Sequence, residues 1–161
     1  MATPTYTLID SVTLASSAAS VTFSSIDQTY GDLVLVAKFT TASGNYSYLR
    51  INGDTGFNYP GVYMRGNGSA ADSGTLNSTG IVDVPSGTSL GGLWTVQIFD
   101  YSATDKHKSA LSRYDSAATS TNAVAHRWAN TAAITSVTYV AGASNFLTGS
   151  TFHLYGIAKA L

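Results

Sequence analysis

Residues 49–59 read LRINGDTGFNY, in which a short alternating strand runs directly into a turn. Leu49 and Ile51 flank Arg50, and this period-two pattern is typical of a strand with one buried face. Residues 52–54 then supply Asn, Gly and Asp, the residue types that adopt positive φ angles and bond to their own backbone in turns. Aromatic residues crowd both sides, so the loop is expected to lie against a sheet. They are Tyr46, Tyr48, Phe57, Tyr59 and Tyr63.

The chain length is that of one domain with a single core. A chain of 161 residues buries about 68–70% of its unfolded surface, and no linker divides it, so residues 1–161 are predicted to form one domain. Charged residues make up 11% of the chain, against about 25% in an average domain. Ser, Thr, Asn and Gly replace them, which suits a surface that packs into an assembly or faces the outside of a cell.

The charge balance and the cysteine count exclude several classes of function. A net charge of −1 gives no electrostatic reason to expect nucleic acid or an anionic membrane as a partner. The absence of cysteine excludes disulfides and thiolate metal sites. Residues 1–4 lack a signal-peptide pattern, and no apolar run approaches the ~20 residues of a membrane span. We therefore expect synthesis in a cytoplasm.

Composition favours an all-β fold. All nine acidic residues are Asp, and Gln occurs only at positions 28 and 97, so the long helix-forming side chains are nearly absent. Alternating or apolar runs predict about nine or ten short strands, a spacing typical of an antiparallel β-sandwich, and a jelly roll is the leading topology. The runs lie at residues 5–14, 21–26, 33–37, 49–51, 81–84, 93–99, 106–114, 122–128, 134–141 and 150–158, with residues 61–65 as a further candidate.

Three segments carry specific expectations. Residues 33–37 are apolar at every position, which predicts a central strand covered on both faces. Residues 106–114 are polar, which favours an edge strand. Residues 66–80 contain mostly small and polar residues, so they are predicted to form a long surface loop and a candidate contact site.

Two sequence matches suggest chemistry but lack the required context. Residues 87–91 fit the pattern G-x-S-x-G, yet Pro85 precedes them and a strand, not a helix, is predicted to follow. Residues 66–71 loosely resemble a dinucleotide fingerprint without a βαβ unit around them. Both are interpreted as turns.

Metal and catalytic sites are not predicted. His107, His126 and His153 lack the close spacing that presents ligands from one element. Most Asp residues occupy turn positions, where bonding to nearby backbone explains them. Calcium held by Asn52, Asp54 or the 100–105 loop is an alternative that hard oxygen ligands would allow. The prediction is no catalytic residue, no cofactor and no metal.

The aromatic residues admit two interpretations. They form either a protein-contacting or sugar-stacking face, or a hydrophobic cover over one sheet. Trp94 and Trp128 join this set as candidate subunit contacts. The interface candidates are therefore Tyr46, Tyr48, Phe57, Tyr59, Tyr63, Trp94 and Trp128. Sequons at Asn45, Asn67 and Asn77 matter only on a eukaryotic secretory route.

Several phrases resemble a family of tailed-bacteriophage virion surface proteins. The most specific lies at residues 49–59, with looser phrases at residues 6–9, 19–26, 29–35, 130–137 and 146–157. Members of that family are small stand-alone proteins or terminal domains of tail-fibre-like proteins, and the resemblance implies a β-sandwich. Residues 61–121 match no pattern of the family, and no catalytic residues are carried over.

The resemblance implies a structural role on a virion. The leading hypothesis is a capsid decoration, or cement, protein, a homotrimer that binds the major capsid protein shell on the capsid exterior after synthesis in the host cytoplasm. The alternative is a receptor- or carbohydrate-binding head of a tail appendage that contacts host cell-surface glycan. An enzyme acting on polysaccharide requires a carboxylate pair in a cleft, which the turn-placed Asp residues do not suggest.

Overall fold

Twelve strands account for the regular structure of the chain. The computed structural model describes residues 4–43, 46–83, 91–116 and 120–159. Within these ranges no helix occurs, and so none that is long and apolar enough to cross a membrane. The strands are β1 (Tyr6–Thr13), β2 (Ser20–Phe23), β3 (Asp32–Thr40), β4 (Ser47–Ile51), β5 (Tyr59–Gly66), β6 (Ala71–Ser78), β7 (Ile81–Val82), β8 (Gly91–Ile98), β9 (Lys108–Ser116), β10 (Ser120–Trp128), β11 (Val137–Ala141) and β12 (Thr151–Ile157).

The strands form two antiparallel sheets in a nested order. β1 pairs with β12, β2 with β11, β3 with β8 and β4 with β7. Successive pairs alternate between the sheets, which gives one sheet the order β1-β12-β3-β8-β9-β10-β5-β6 and the other the order β2-β11-β4-β7. The predicted all-β antiparallel sandwich is confirmed. The strands β9, β10, β5 and β6 extend the larger sheet beyond β8.

Aromatic side chains fill the space between the sheets. Trp94 on β8 meets Tyr139 on β11 edge-on, with ring centroids 5.7 Å apart. Tyr139 in turn lies 5.0 Å from Phe152 on β12. All three side chains are buried. Because these contacts join strands of different sheets, they hold the two layers together, and aromatic pairs of this kind add about 0.5–1.5 kcal/mol each beyond area burial.

The prediction for residues 33–37 is half right. β3 is an interior strand between β12 and β8. Leu33, Leu35 and Ala37 are buried between the sheets, but Val34 and Val36 on the opposite side are only half-buried. Cover on both faces is therefore wrong, because in the described part of the chain only neighbouring side chains of the same sheet shield the second face.

The predicted loop at residues 66–80 is wrong. Most of it is β6, which pairs with β5 along its full length. A tight turn joins the two strands: the Asn67 side chain accepts hydrogen bonds from the N–H groups of Ser69 and Ala70, and Gly68 takes a φ of 84°. An ion pair across the strands joins Arg65 to Asp72 at 2.6 Å. The small residues of β6 pair through backbone, which leaves little hydrophobic pattern to read.

The predicted edge position of residues 106–114 is also wrong. β9 lies inside the larger sheet, between β8 and β10. Its inward positions include Lys108, Ser112 and Ser116, all of which are buried. The ammonium group of Lys108 donates to the carbonyl oxygens of Lys106 and Thr131. Polar residues on β9 thus mark a polar part of the interior rather than an edge.

Candidate interaction surface

The 52–59 loop is fixed to the rest of the fold by its polar side chains. Asn52 has a positive φ of 51°. Its Nδ2 donates to the carbonyl oxygen of Ala133 at 2.8 Å, and its Oδ1 accepts from the N–H groups of Thr135 and Ser136 at 2.9 and 3.1 Å. These bonds join the turn after β4 to the segment before β11, so Asn52 holds two distant parts of the chain in register.

Asp54 ties the same loop to the larger sheet. Its carboxylate accepts hydrogen bonds from the Gly56 N–H at 2.8 Å, from Asn58 Nδ2 at 3.0 Å and from Trp128 Nε1 at 2.8 Å. Burial raises the pKa of Asp54, but the bonds from Trp128, Gly56 and Asn58 outweigh burial and leave the pKa lowered. Asp54 is therefore an ionised structural acceptor whose oxygens are already occupied by protein donors.

Tyr59 holds the 52–59 loop from its buried side. Its hydroxyl accepts from the Ile51 N–H at 3.0 Å and lies 3.2 Å from the carbonyl oxygen of Asp54. The side chain is fully buried, and burial raises the pKa of Tyr59 to about 12. The expectation that the loop lies against a sheet is confirmed, since donors and acceptors from both sheets hold it.

The 52–59 loop presents one large apolar side chain to solvent. Phe57 is 69% exposed, the highest value among the exposed large hydrophobic residues of the described chain. It lies between Gly56 and Asn58, both of which contribute to the bonds at Asp54. A rigid aromatic side chain loses little conformational entropy on binding, which is the property of an interface anchor.

The other predicted interface aromatics separate into two groups. Tyr59, Trp94 and Trp128 are buried within the subunit, where their large apolar side chains pack in the core and are not offered to a partner. Tyr48 and Tyr63 are half-buried around Val82 and Val124, in a small second cluster.

Tyr46 and Phe57 are the two members of the predicted set that are mainly exposed. Tyr46 is 43% exposed. The structure does not bring the seven candidates together into one surface. Three of them lie in the core and two in the second cluster, and Tyr46 and Phe57 face solvent.

The outward side of the larger sheet, called the outer face below, is the main apolar surface. Six of the eight exposed large hydrophobic side chains lie on it. Strand register places them in adjacent rows, since Val34 pairs with Gln97, Gln97 with Leu111, Leu111 with Ala125, and Ala125 with Val62. The six are Tyr6, Leu8, Val62, Met64, Leu93 and Leu111. A sheet face with this many exposed apolar side chains indicates a protein-binding surface.

Sequence reasoning missed the outer face. Each of its strands contributes no more than five outward residues, and which of them are neighbours across strands can be read only when the strand order is known. The alternation within β8 or β9 was readable, but the pairing of β10 with the distant β5 was not.

Sequence reasoning also missed two buried ionisable residues next to β7, Asp83 and His126. Asp83 is buried, and its Oδ1 accepts from the Ser47 N–H at 3.0 Å. His126 is also buried and accepts at Nε2 from the Val82 N–H at 3.3 Å. Burial raises the pKa of Asp83 to about 7 and lowers the pKa of His126 to about 4. Both groups are therefore held mainly neutral near pH 6.

The predicted chemical candidates do not assemble into a site in the described ranges. There, no group of three or more His, Cys, Asp or Glu residues is placed to hold a metal ion. Asn52 and Asp54, considered for calcium, use their side-chain oxygens for protein donors. The G-x-S-x-G match, apart from Gly91, and the sequon at Asn45 lie outside the described residues, as do residues 1–3 at the start of the chain.

No family model matches the chain, and no curated protein matches it.

Proposed function

We propose that this protein is a structural component of a tailed-bacteriophage virion, a capsid decoration protein that binds the shell of major capsid protein from outside. Phe57, exposed on the loop that Asn52 and Asp54 hold in place, carries the proposal as the contact with the shell. A folded subunit that leaves six large hydrophobic side chains exposed on one sheet is suited to assembly with other protein surfaces. The resemblance of residues 49–59 to virion proteins supplies the setting.

The strand order supports the finer expectation of a jelly roll. Setting aside β5, β6, β9 and β10, the remaining eight strands pair as β1-β12-β3-β8 and β2-β11-β4-β7. This nested pairing is the arrangement of two Greek keys, and jelly rolls are frequent in viral capsid and lectin domains. We infer a jelly-roll core whose larger sheet is widened by the four additional strands. A fold alone does not assign a function, so the proposed role depends on the exposed surfaces of the subunit.

The mechanism we propose is stabilisation by mass action. A protein that binds the assembled shell, and not its dissociated parts, lowers the free energy of the assembled state. No catalytic step, cofactor or metal is required for this role. Trimeric assembly and a location on the capsid exterior belong to the same proposal and rest on the resemblance.

The experiment that tests the proposal is a measurement of copy number. Quantitative mass spectrometry of purified virions should find this chain in a simple ratio to the major capsid protein. Absence from virions would contradict any virion role. A copy number far below that of the capsid protein would move the chain to the tail and favour the alternative, a receptor- or carbohydrate-binding head.

The alternative has its own structural requirement. Tyr59 is buried and bonded within the loop, so it is not available to stack on a sugar. Phe57 and Tyr46 are the exposed aromatic residues of the predicted set. Glycan binding that is lost in Phe57→Ala or Tyr46→Ala, with the fold retained, would support the alternative over decoration.

Phe57 is the proposed anchor on the shell, and its replacement separates binding from folding. Phe57→Ala should weaken binding to purified shells by about tenfold or more, because anchors dominate interface energy. The free energy of unfolding should change by less than about 0.5 kcal/mol, as expected for an exposed position. Shell co-sedimentation and urea unfolding measure the two quantities.

Thr55→Ala is the matched control, since Thr55 is an exposed residue of the same loop without a large side chain. It should leave both quantities unchanged. Equal shell binding by the wild type and Phe57→Ala would remove Phe57 as the anchor.

A further inference from the structure

We propose that the outer face is a contact between two copies of this chain, packed face to face about a two-fold axis. The inference goes beyond shell binding and does not depend on it, because it concerns a different surface from Phe57. The second copy is favoured as the occupant because the outward residues of the sheet are complementary to themselves.

The complementarity is clearest on β3. Its outward residues are Asp32, Val34, Val36, Lys38 and Thr40, and the buried Leu35 lies midway between Asp32 and Lys38. A two-fold axis that crosses β3 at Leu35, perpendicular to the strand, places Asp32 opposite Lys38 of the second copy. The same operation places Val34 opposite Val36. The axis therefore sets opposite charges against each other and apolar side chains against each other, as a self-complementary, isologous contact requires.

β8 and β5 obey the same symmetry, whereas on β9 the axis places Leu111 opposite Arg113 of the second copy. Gln97 and Thr95 of β8 lie beside Val34 and Val36, so the axis places them opposite each other. Four strands away, Val62 and Met64 occupy the corresponding rows of β5 through their pairing with Ala125 and Ala123. The axis sets Val62 against Met64 of the second copy, and apolar side chains again meet.

The charges of β3 lack an ion-pair partner within the described chain. Both ion pairs found there join other residues, Arg65 with Asp72 and Lys106 with Asp100. Asp32 accepts from the Asp100 N–H at 2.9 Å and from Gln97 Nε2 at 3.5 Å, one bond on each oxygen, and a carboxylate has about four lone-pair sites, so it can accept from an ammonium group as well. Two unpaired opposite charges at symmetric positions point to a partner with the same pair.

The size of the outer face fits a stable dimer. Eight strands spaced by about 4.8 Å give a width of about 38 Å, and four rows of outward residues give a height of about 20 Å. The product, roughly 760 Å², is close to the ~800 Å² per partner of a standard interface. Sheets that pack face to face keep their strands within about 30° of each other, which allows the β3 strands to cross as described.

The test compares two valine variants of the full chain by sedimentation equilibrium. The wild type should be a dimer, or an even-numbered assembly, at about 50 µM. Val36→Asp should raise the dissociation constant by at least tenfold, because it places a charge in the apolar contact. Val140→Asp is the matched control: Val140 is a half-buried outward residue on β11, an interior strand of the smaller sheet, and its replacement should leave the mass unchanged.

A charge exchange tests the axis itself and keeps the proposal testable if Val36→Asp fails to fold. Lys38 is exposed, so Lys38→Asp should fold; it places like charges opposite each other at two symmetric points and should weaken the dimer about tenfold. The double variant Asp32→Lys/Lys38→Asp recreates the pair with reversed sign and should restore association. Circular dichroism checks the fold of each variant.

Three results would overturn the proposal. They are a wild-type monomer or isolated trimer at about 50 µM, equal effects of Val36→Asp and Val140→Asp, and a folded double variant that does not regain association. Each is read on the isolated protein, so a failed copy-number test on virions leaves this contact standing, and a monomeric chain leaves the decoration role standing.

Discussion

Replacing Asp83 with asparagine is expected to make the stability of this protein strongly dependent on pH. The reason is a balance between two buried groups. The folded state holds the pKa of Asp83 at about 7, above its ordinary 3.8, so Asp83 contributes stability below pH 4 that is lost as the pH rises through 7. His126 acts in the opposite sense: its pKa is lowered from 6.5 to about 4, so its contribution is present above pH 6.5 and is lost as the pH falls through 4.

The two contributions change over the same range of pH with opposite slopes. Each shift of one unit corresponds to about 1.4 kcal/mol, so each group alone would change stability by about 3 kcal/mol between pH 4 and pH 7. In the wild type the changes nearly cancel. Asp83→Asn removes the falling contribution, and its free energy of unfolding should rise by about 3 kcal/mol from pH 4 to pH 6.5.

The measurement is urea unfolding at a series of pH values for the wild type, Asp83→Asn and His126→Gln. The wild type should give a nearly flat profile, and His126→Gln should lose stability as the pH rises from 4 to 7. Asp115→Asn is the control, because Asp115 is an exposed Asp on β9, and its profile should follow the wild type. Parallel profiles for the wild type and Asp83→Asn would contradict the prediction.

Asn52→Ala should lower the free energy of unfolding by about 3 kcal/mol. The substitution leaves the Ala133 carbonyl and the N–H groups of Thr135 and Ser136 without their side-chain partner, and each such loss costs about 1–3 kcal/mol where water does not replace the bond. Alanine also tolerates the positive φ of 51° poorly. Both effects act on the turn after β4, which these bonds attach to the segment before β11.

Companion variants separate the hydrogen bonds from the backbone angle. Asn52→Gly keeps the positive φ without strain and should be about 1 kcal/mol more stable than Asn52→Ala. Asn52→Asp keeps the acceptor oxygen and should fall between wild type and alanine. Asn130→Ala is the control, since Asn130 makes a single local bond to the Ala132 N–H. A loss below about 1 kcal/mol for Asn52→Ala would show that water replaces these bonds.

The parts of the fold that could be predicted are those governed by local chemistry. Residues 49–59 revealed their strand and turn because alternation and the Asn-Gly-Asp sequence act within a few residues. β6 was missed because its ladder depends on backbone groups and on Arg65, while its own side chains are small. β9 was placed at an edge because Lys108 and Ser112 look solvent-facing until their buried positions are known.

The place of the candidate surface was not predictable from the sequence. Aromatic content was compatible with a contact surface or with a cover over one sheet, and Trp94 and Trp128 lie in the core. The residues that form the outer face, such as Leu111 and Val62, are unremarkable in sequence. They become neighbours only because β10 lies between β9 and β5, which no local pattern encodes.

The nested strand pairing has a consequence for the order in which the chain can fold. Tyr6 pairs with Ile157 and Phe23 pairs with Val137. During synthesis, β1 and β2 therefore have no partner strand until nearly the whole chain has been made. Contacts this distant in sequence slow folding and leave strand edges uncovered meanwhile. The hairpins β5–β6 and β9–β10 can form as soon as both of their strands have been made. The two sheets can be completed only after β12 has been synthesised.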